Sequence, residues 1–431
     1  MNGPRMKRTL IAELATAPSD RVLVKGWIHR LRETKSTTFL IVHDCSGTIQ
    51  AVAEPSLTRG LGLRAECAVA IAGRIRRDDR APGGAEIDLE KIEVLGAAAD
   101  DLPFAAVSKL EDISMELVLN YRPLSLRTER GGTIFRVQAA LVEAFRAALR
   151  RRRFTEIFSS KIVARATEGG SNLFQIRYFD RAAYLAQSPQ FYKEHGVAGL
   201  ERVFETAHVY RAEPHASSRH LTEYLSLDFE MGFIDGVNDV IEMERAVLGE
   251  AFETIRTHFG NSLKALSAYL PSLENAPIWS FTDCLERLRH NRTDVVDDLD
   301  PEAERRLCEM AAKETGVAAV FVTEFPLAQR PFYTHPAADG VHAAGFDLLF
   351  RGVEITTGGQ RLHRRADLEA ALRKRRIDPA DFESHLRMFD LGMPPHGGLA
   401  IGLERLTAQI LGLKNIREAT LYPRDVTRLE P

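Results

Sequence analysis

Residues 203–231 constrain the fold of this chain more than any other segment. A hydrophobic run from Val203 to Tyr210 leads into Arg211 and Glu213, and a short loop of Ser, His and Arg follows. Then Tyr224-Leu225-Ser226-Leu227-Asp228-Phe229-Glu230-Met231 alternates apolar and polar positions. Alternation at period two marks a strand with one face on a core. The segment therefore reads as a β-hairpin with ionic groups at its mouth. Buried strands seldom carry so many charges unless a ligand answers them. The plainer reading is an ordinary hairpin with surface charges.

The 431 residues, 45% of them hydrophobic and 27% charged, suffice for two or three domains with sizeable cores. No run of eighteen apolar residues occurs, so no membrane span is expected. The opening Met-Asn-Gly-Pro-Arg-Met-Lys-Arg has basic residues with no apolar stretch behind them, which argues against a secretory signal. Cys45, Cys67, Cys284 and Cys308 are scattered. They read as reduced thiols of a cytoplasmic protein, not as a zinc site or disulfide frame. A net charge of −3 gives no whole-chain case for nucleic-acid binding, so any such contact must use local patches.

Between residues 20 and 97, five short runs alternate in hydrophobicity: 21–26, 38–42, 48–52, 67–73 and 86–89, with Gly, Asp and Pro between them. Five strands in so short a span predict an OB-type barrel, a fold that often binds single-stranded nucleic acid. Its other use is as a packing module. We set this domain at residues 1–100, a hinge or linker at 101–130 and a second domain at 131–431. In the second, Thr133–Arg153 follows a helical period and ends in Arg150-Arg-Arg-Arg153. Those arginines read first as a solvated helix end that suits the helix dipole, and only second as an RNA contact. Residues 154–231 are strand-rich, and 236–315 form a mainly helical insertion. Strands return near 318–323 and 345–357, helices fill 365–391, and a glycine-rich strand leads into a helix across 396–412. The class is α+β: an OB barrel followed by an antiparallel sheet flanked by helices.

Four clusters carry chemistry. The first is Arg211 with Glu213 and the loop Arg219-His220, cations suited to charge developing on phosphate. The second is Asp347 with Glu354 on an apolar background. Two carboxylates beside a triphosphate suit Mg²⁺. Their odd spacing would put them on opposite faces of one strand, so a turn or bulge must intervene, which Gly352 would provide. The alternative is two solvent-facing acids. The third is Gly397-Gly-Leu-Ala-Ile-Gly-Leu-Glu-Arg405, where glycines let backbone approach a ligand and deliver Arg405 at a helix start. A structural glycine turn is the alternative. The fourth is Gln187-Ser-Pro-Gln-Phe-Tyr-Lys193, a polar turn opening a helix.

All four clusters, in order, resemble the class II aminoacyl-tRNA synthetases, and within them the aspartyl enzymes of archaeal and eukaryotic kind. The resemblance runs from the barrel to the terminal Tyr422-Pro-Arg-Asp425. It implies ATP and Mg²⁺ as cofactors, with L-aspartate and tRNA as partners. Arg211 would grip the α-phosphate and the amino-acid carboxylate, and Arg405 the γ-phosphate; these two would be catalytic. Glu213, Arg219, His220, Leu221, Gly402 and Glu404 would complete the ATP site, with Tyr224 stacked on adenine. Glu354 and Asp347 would hold the metal. Lys193 and Arg361 would bind the aspartate side chain, Arg361 by a two-point fork, with Gln190 and Thr357 beside them. Thr167-Glu-Gly-Gly170 resembles a mobile loop whose Glu168 meets the α-ammonium. Lysine would need acids in that pocket and asparagine a neutral partner, so the two cations favour aspartate over the lysyl and asparaginyl rivals. A barrel that kept RNA binding and lost the chemistry is disfavoured by the intact ionic residues.

In the family an aromatic of the barrel stacks on an anticodon base while Gln and Glu read base edges. Phe39, Gln50 and Glu86 stand at matching positions, although Phe39 on its own reads as core. His29 and Pro82 resemble the pair in relaxed enzymes that charge both tRNA-Asp and tRNA-Asn. Phe154-Thr-Glu-Ile-Phe-Ser-Ser-Lys161 resembles the motif that builds a homodimer interface, with Ser160 where Pro is usual, which loosens the turn. Thr356-Thr357, Leu399-Ala400 and Tyr422 also depart from the usual residues. They leave open a diverged paralogue insensitive to an inhibitor of the housekeeping enzyme.

Overall fold

The structure, a computed structural model, describes residues 6–431 apart from 79–80, 82–83, 166–171, 215–216 and 290–297. It divides into two compact units, Met1–Gly132 and Thr133–Pro431. Among the described residues no helix is long and apolar enough to cross a membrane.

The first unit is built on β1 (Arg21–Glu33), β2 (Thr38–His43), β3 (Thr48–Ala53), β4 (Ala68–Arg77) and β5 (Ala85–Gly96). They close a barrel in the order β1-β2-β3-β5-β4. The period-two pattern sorts the side chains. Val22, Val24, Leu40, Val42, Ile49, Ala51, Ile71 and Ile87 fill the interior, while Phe39, Ile41, Gln50 and Val52 lie half-buried on the outer face of β2 and β3.

Among the described residues of the second unit, eight strands form one sheet. They are β6 (Thr155–Glu156), β10 (Arg202–Tyr210), β11 (Glu223–Gly232), β12 (Ile278–Ser280), β13 (Ala319–Thr323), β14 (Gly345–Phe350), β15 (Val353–Arg361) and β16 (His396–Gly402). Their order is β12-β13-β14-β15-β16-β11-β10-β6. The six central strands pair antiparallel, as the sequence predicts. The edges differ: β12–β13 and β10–β6 are parallel, so the sheet is mixed. A separate small sheet joins β7 (Ile162–Val163), β9 (Arg181–Leu185) and β8 (Gln175–Tyr178).

One face of the large sheet presents Leu227, Phe229, Phe346, Leu348, Leu399 and Ile401 to a core shared with two long helices, Glu129–Arg151 and Val237–Ala265. Val137, Leu141, Phe145 and Leu149 supply the first helix's apolar stripe, and Val240, Val247, Phe252 and Ile255 the second's. With that face sealed, the ionic side chains of these alternating strands turn to the opposite face, while Thr356 stays on the core side, bonded to Glu244.

Candidate active site

Alternation on β11 sends Leu227, Phe229 and Met231 into the core, leaving Ser226, Asp228 and Glu230 on the other face. Register then carries the row across the sheet: Asp228 stands opposite Ala400, Ala400 opposite Thr357, and Thr357 opposite Asp347. A second row runs Glu230–Gly398–Gly359–Gly345. Glycine is required at 398, where a Cβ would collide with the Phe229 carbonyl and the Glu230 carboxylate. The missing side chains open a trough over the sheet. The β14–β15 turn supplies the bend that Asp347 and Glu354 require: Gly352 has φ +81°, and a bulge follows Leu348.

Two adjoining pockets occupy the trough. One is lined by Arg211, Arg219, His220, Tyr224, Glu404 and Arg405 among others, the second by Gln190, Lys193, Arg330, Tyr333 and Arg361. Arg211, Tyr224, Ser226, Glu354, Thr357 and Ala400 line both.

The second pocket is rigidly ionic. Helix Gln190–Leu200 buries Lys193, whose Nζ donates to Asp228 Oδ1 and to the Leu399 carbonyl, both at 2.9 Å, and lies 3.4 Å from Glu230 Oε2. Arg361 donates through Nε to Glu230 Oε1 and through Nη2 to the Gly398 carbonyl, both at 2.9 Å. Burial alone would raise Glu230, but Arg361 and Lys193 hold its carboxyl below the ordinary value. Two cations are thus balanced by two buried carboxylates, and Gln190 donates to Glu194 at 2.7 Å.

The first pocket is looser. Arg211 lies at the end of β10 with its guanidinium 5.8 Å from the Tyr224 ring and 4.0 Å from Glu213. His220 hydrogen-bonds Ser217 at 2.6 Å and lies 3.8 Å from Glu213. Arg405, in the first turn of helix Leu403–Leu411, donates to the Glu354 carbonyl at 3.0 Å. Arg219 bridges Glu304 at 3.0 Å and the Gly352 carbonyl at 2.8 Å. Burial, then the neighbouring Glu354, raise Glu304 to about 7. Glu404 is buried, accepts the Leu225 amide at 3.1 Å and is raised by burial to about 7.

The expected metal pair is not free as a pair. Glu354 faces both pockets and accepts from Thr357 at 2.9 Å. Asp347 instead takes a two-point ion pair from Arg330, at 2.9 and 2.8 Å. Burial raises Asp347 to about 6 against the pull of Arg330. Both Asp347 oxygens are therefore engaged, and among the described residues no group of three acids, histidines or cysteines forms a metal cage. The donor set fits a cation held by Glu354 and substrate oxygens. It fits Asp347 as a ligand only after Arg330 moves.

The remaining expected residues fall into place unevenly. Leu221, Gly402 and Thr357 line the first pocket. Glu168 and Pro82 lie outside the described residues. The sequence reading missed Asp228, Glu230, Arg330 and Glu304. The first two had a signal, acids two apart on one strand opposite apolar neighbours. Arg330 and Glu304 had none, because a proline-rich loop and a helix bring them in from far along the chain. The Ser160 turn is not slack: Ser159 donates twice to Glu205 at 2.7 Å, and Lys161 binds both, at 2.8 Å to Ser159 and 2.9 Å to Glu205. Phe158 beside it is 81% exposed.

On the barrel, Gln50 donates to Glu86 at 2.7 Å, and Arg76 also pairs with Glu86. Phe39 shares their outer face, half-buried, while the interior of β2 belongs to Leu40 and Val42. His29 sits apart from them, edge-on to His43 at 5.2 Å near Trp27.

A family model described as tRNA synthetases class II (D, K and N) matches residues 114–426, and one described as OB-fold nucleic acid binding domain matches 22–95. The chain is 43% identical over 436 residues to an aspartate–tRNA(Asp/Asn) ligase of Deinococcus radiodurans, covering 99% of each. It is 43% identical over 427 residues to an aspartate–tRNA(Asp/Asn) ligase of Thermus thermophilus, covering 98% of this chain and 100% of that one. Among solved structures, asparaginyl-tRNA synthetase from Pyrococcus horikoshii complexed with asparaginyl-adenylate superposes with a TM-score of 0.91 at 30% identity, covering 99% of this chain and 100% of that one.

Proposed function

The chain belongs to the class II tRNA synthetases of the D, K and N group, and from that premise we infer that it attaches L-aspartate to tRNA in an ATP-dependent reaction. One observation carries the choice of amino acid: Lys193 and Arg361 converge on a pocket that shares Arg211 and Glu354 with the phosphate-facing pocket. An asparaginyl enzyme would need a neutral partner there. The relatives' names support the same reading.

Two steps follow. An oxygen of the aspartate α-carboxylate attacks the α-phosphorus of ATP, and the bond to the bridging oxygen of pyrophosphate breaks. Arg211, placed between the pockets, binds both reacting groups, and Arg405 binds the departing phosphates. A terminal ribose hydroxyl of tRNA then attacks the aspartyl carbonyl, and AMP leaves. No protein nucleophile is needed, so catalysis rests on positioning and charge stabilisation. Tyr224 offers its ring to adenine. Glu213, Arg219, His220, Leu221, Gly402 and Glu404 shape the ATP site, and Gln190, Thr357 and Glu168 the amino-acid site. Mg²⁺, held by Glu354 and, once Arg330 releases it, Asp347, would neutralise phosphate charge. Amino-acid-dependent pyrophosphate exchange tests the reading: aspartate should support it, and exchange driven by asparagine or lysine alone would overturn it.

Residues 1–100 would bind the anticodon, 101–130 would act as the hinge, and 131–431 would hold the chemistry. Phe39 would stack on an anticodon base, with Gln50 and Glu86 reading base edges. His29 and Pro82 point to relaxed choice, so that tRNA-Asn is charged beside tRNA-Asp. A tRNA-Asn transcript charged about as well as tRNA-Asp supports this; undetectable charging sinks it. A cytoplasmic homodimer through the segment bearing Phe158 completes the reading, and sedimentation of the intact chain checks the dimer.

A further inference from the structure

Beside Lys193 and Arg361 lies a relay of titratable groups that the two-step chemistry does not use. Glu194 is wholly buried. Its Oε1 accepts from Gln190 at 2.7 Å. Among the described residues its Oε2 has no hydrogen-bond partner; it lies 3.5 Å from His385 Nε2, which has none among them either. The other His385 nitrogen, Nδ1, is 2.8 Å from His195 Nε2. Phe191 stacks on the His385 ring at 4.0 Å and seals one side of it. His195, only half-buried, is the end of the relay nearest solvent.

Charged and titratable groups gather around Glu194 from several elements, while on β10, which also packs on its helix, the buried Glu205 is already paired with Lys161. The Glu194 helix itself supplies Lys193 and His195, β11 Asp228 and Glu230, β15 Arg361, β16 His396, and the turn at 383–386 His385. Lys193 and Arg361 are already matched by Asp228 and Glu230. An ionised Glu194 would therefore make the pocket net anionic, facing a substrate whose side chain is itself a carboxylate. Coulomb repulsion at such separations is weakly screened in a buried site.

We propose that Glu194 is a specificity-determining positioning residue: protonated, it leaves the Lys193–Arg361 pair able to hold an anionic side chain, and ionised, it closes the pocket to aspartate. This rests on the aspartate reading above. A closing shift of about half an ångström, which brings Glu194 Oε2 and His385 Nε2 to hydrogen-bond distance, lets the proton be exchanged without opening the core. With Glu194 protonated, its O–H faces His385 Nε2, and His385 Nδ1–H donates to His195 Nε2. On ionisation the Glu194 proton passes to His385 Nε2, the Nδ1 proton passes to His195 Nε2, and His195 releases its own Nδ1 proton to water. Three protons shift, one is lost to solvent, and His385 stays neutral throughout. Burial, then the nearby Glu230, raise Glu194 to about 8, and burial lowers His385 to about 3 and His195 to about 4. The switch therefore falls on the alkaline side of neutrality.

The experiment is pyrophosphate exchange on the full chain from pH 6.5 to 9. KM for aspartate should climb roughly tenfold from pH 7 to pH 9 while KM for ATP moves less than about twofold. Glu194→Gln, which cannot ionise, should flatten the aspartate profile. A flat profile in the native enzyme, or the same climb in E194Q, overturns the proposal. A purely structural role for Glu194 would not tie KM for one substrate to pH. Should E194Q fail to fold, calorimetry of aspartate binding to the native enzyme, in buffers of different ionisation enthalpy, decides. Uptake approaching one proton at pH 9 and none at pH 6.5 is expected; none at pH 9 overturns it. Absence of aspartate-dependent exchange at every pH would remove the aspartate reading and this proposal together. Exchange with a pH-independent KM removes this proposal alone.

Discussion

Lys193 and Arg361 sit inside a buried lattice of carboxylates, whereas Arg211 and Arg405 face the pocket with side chains 44% and 32% exposed. The difference follows from where the counter-charge comes from. Buried cations must be matched by the protein itself, because leaving a buried charge unpaired carries a heavy desolvation cost. Cations at a wet pocket are stabilised by water until phosphate arrives. The amino-acid half is thus complete before substrate binds and is suited to selection. The nucleotide half is completed by its ligand and is suited to stabilising charge that develops during reaction.

This contrast is broken most directly at Lys193. Lys193→Met would leave Asp228 and Glu230 short of a buried partner, and breaking such a pair typically costs about 3–5 kcal/mol. Denaturant unfolding should show a loss of that order, along with loss of aspartate binding. Arg405→Met should behave in the opposite way. Pyrophosphate exchange should fall by roughly 10²–10³-fold, the effect of removing one preorganised charge-stabilising group, with the unfolding midpoint almost unmoved. Equal stability losses in the two variants would erase the distinction between the halves.

Arg330 sharpens the boundary between them, since it lines the amino-acid pocket yet occupies Asp347. Arg330→Gln should free the Asp347 carboxylate and lower the Mg²⁺ concentration that half-saturates exchange by several-fold. A higher Mg²⁺ requirement would make Arg330 a substrate contact instead of a competitor for the metal site.

How much of this could be read from sequence follows the same boundary. The hairpin, the glycine-rich strand before Arg405 and the acids around Gly352 are local patterns, and each lands where its period and turn residues put it. Lys193 and Arg361 were legible as cations of the pocket. Their binding to Asp228 and Glu230 was not, because it depends on register across β11, β16 and β15. The parallel edge strands β6 and β12 were equally hidden. They are two or three residues long, and their pairing is set by distant chain. Phe39 and Leu40 are both apolar, and only their place in the barrel separates them: one residue of register decides inside from outside.

The smallest expected effect lies on the sheet face away from the pocket, where Glu244 supplies the control for Glu194. It projects from helix Val237–Ala265, is fully buried, and accepts the Thr356 hydroxyl at 2.6 Å. Burial raises it to about 8, from an ordinary value of 4.5. Between those limits the native state holds a proton that the unfolded chain has released. Stability is therefore lost as pH rises through that window, and the loss is complete only above the folded value. Glu244→Gln keeps an acceptor for Thr356 and needs no proton. It should raise the thermal midpoint by about 2 °C or more at pH 8, with the gain fading towards pH 4.5. KM for aspartate should keep its pH profile in this variant, because Glu244 touches none of the groups that hold the amino acid. A midpoint gain that does not depend on pH would show that packing, and not a buried proton, sets the cost of Glu244. A flattened aspartate profile would show that the two faces of the sheet are electrostatically one site.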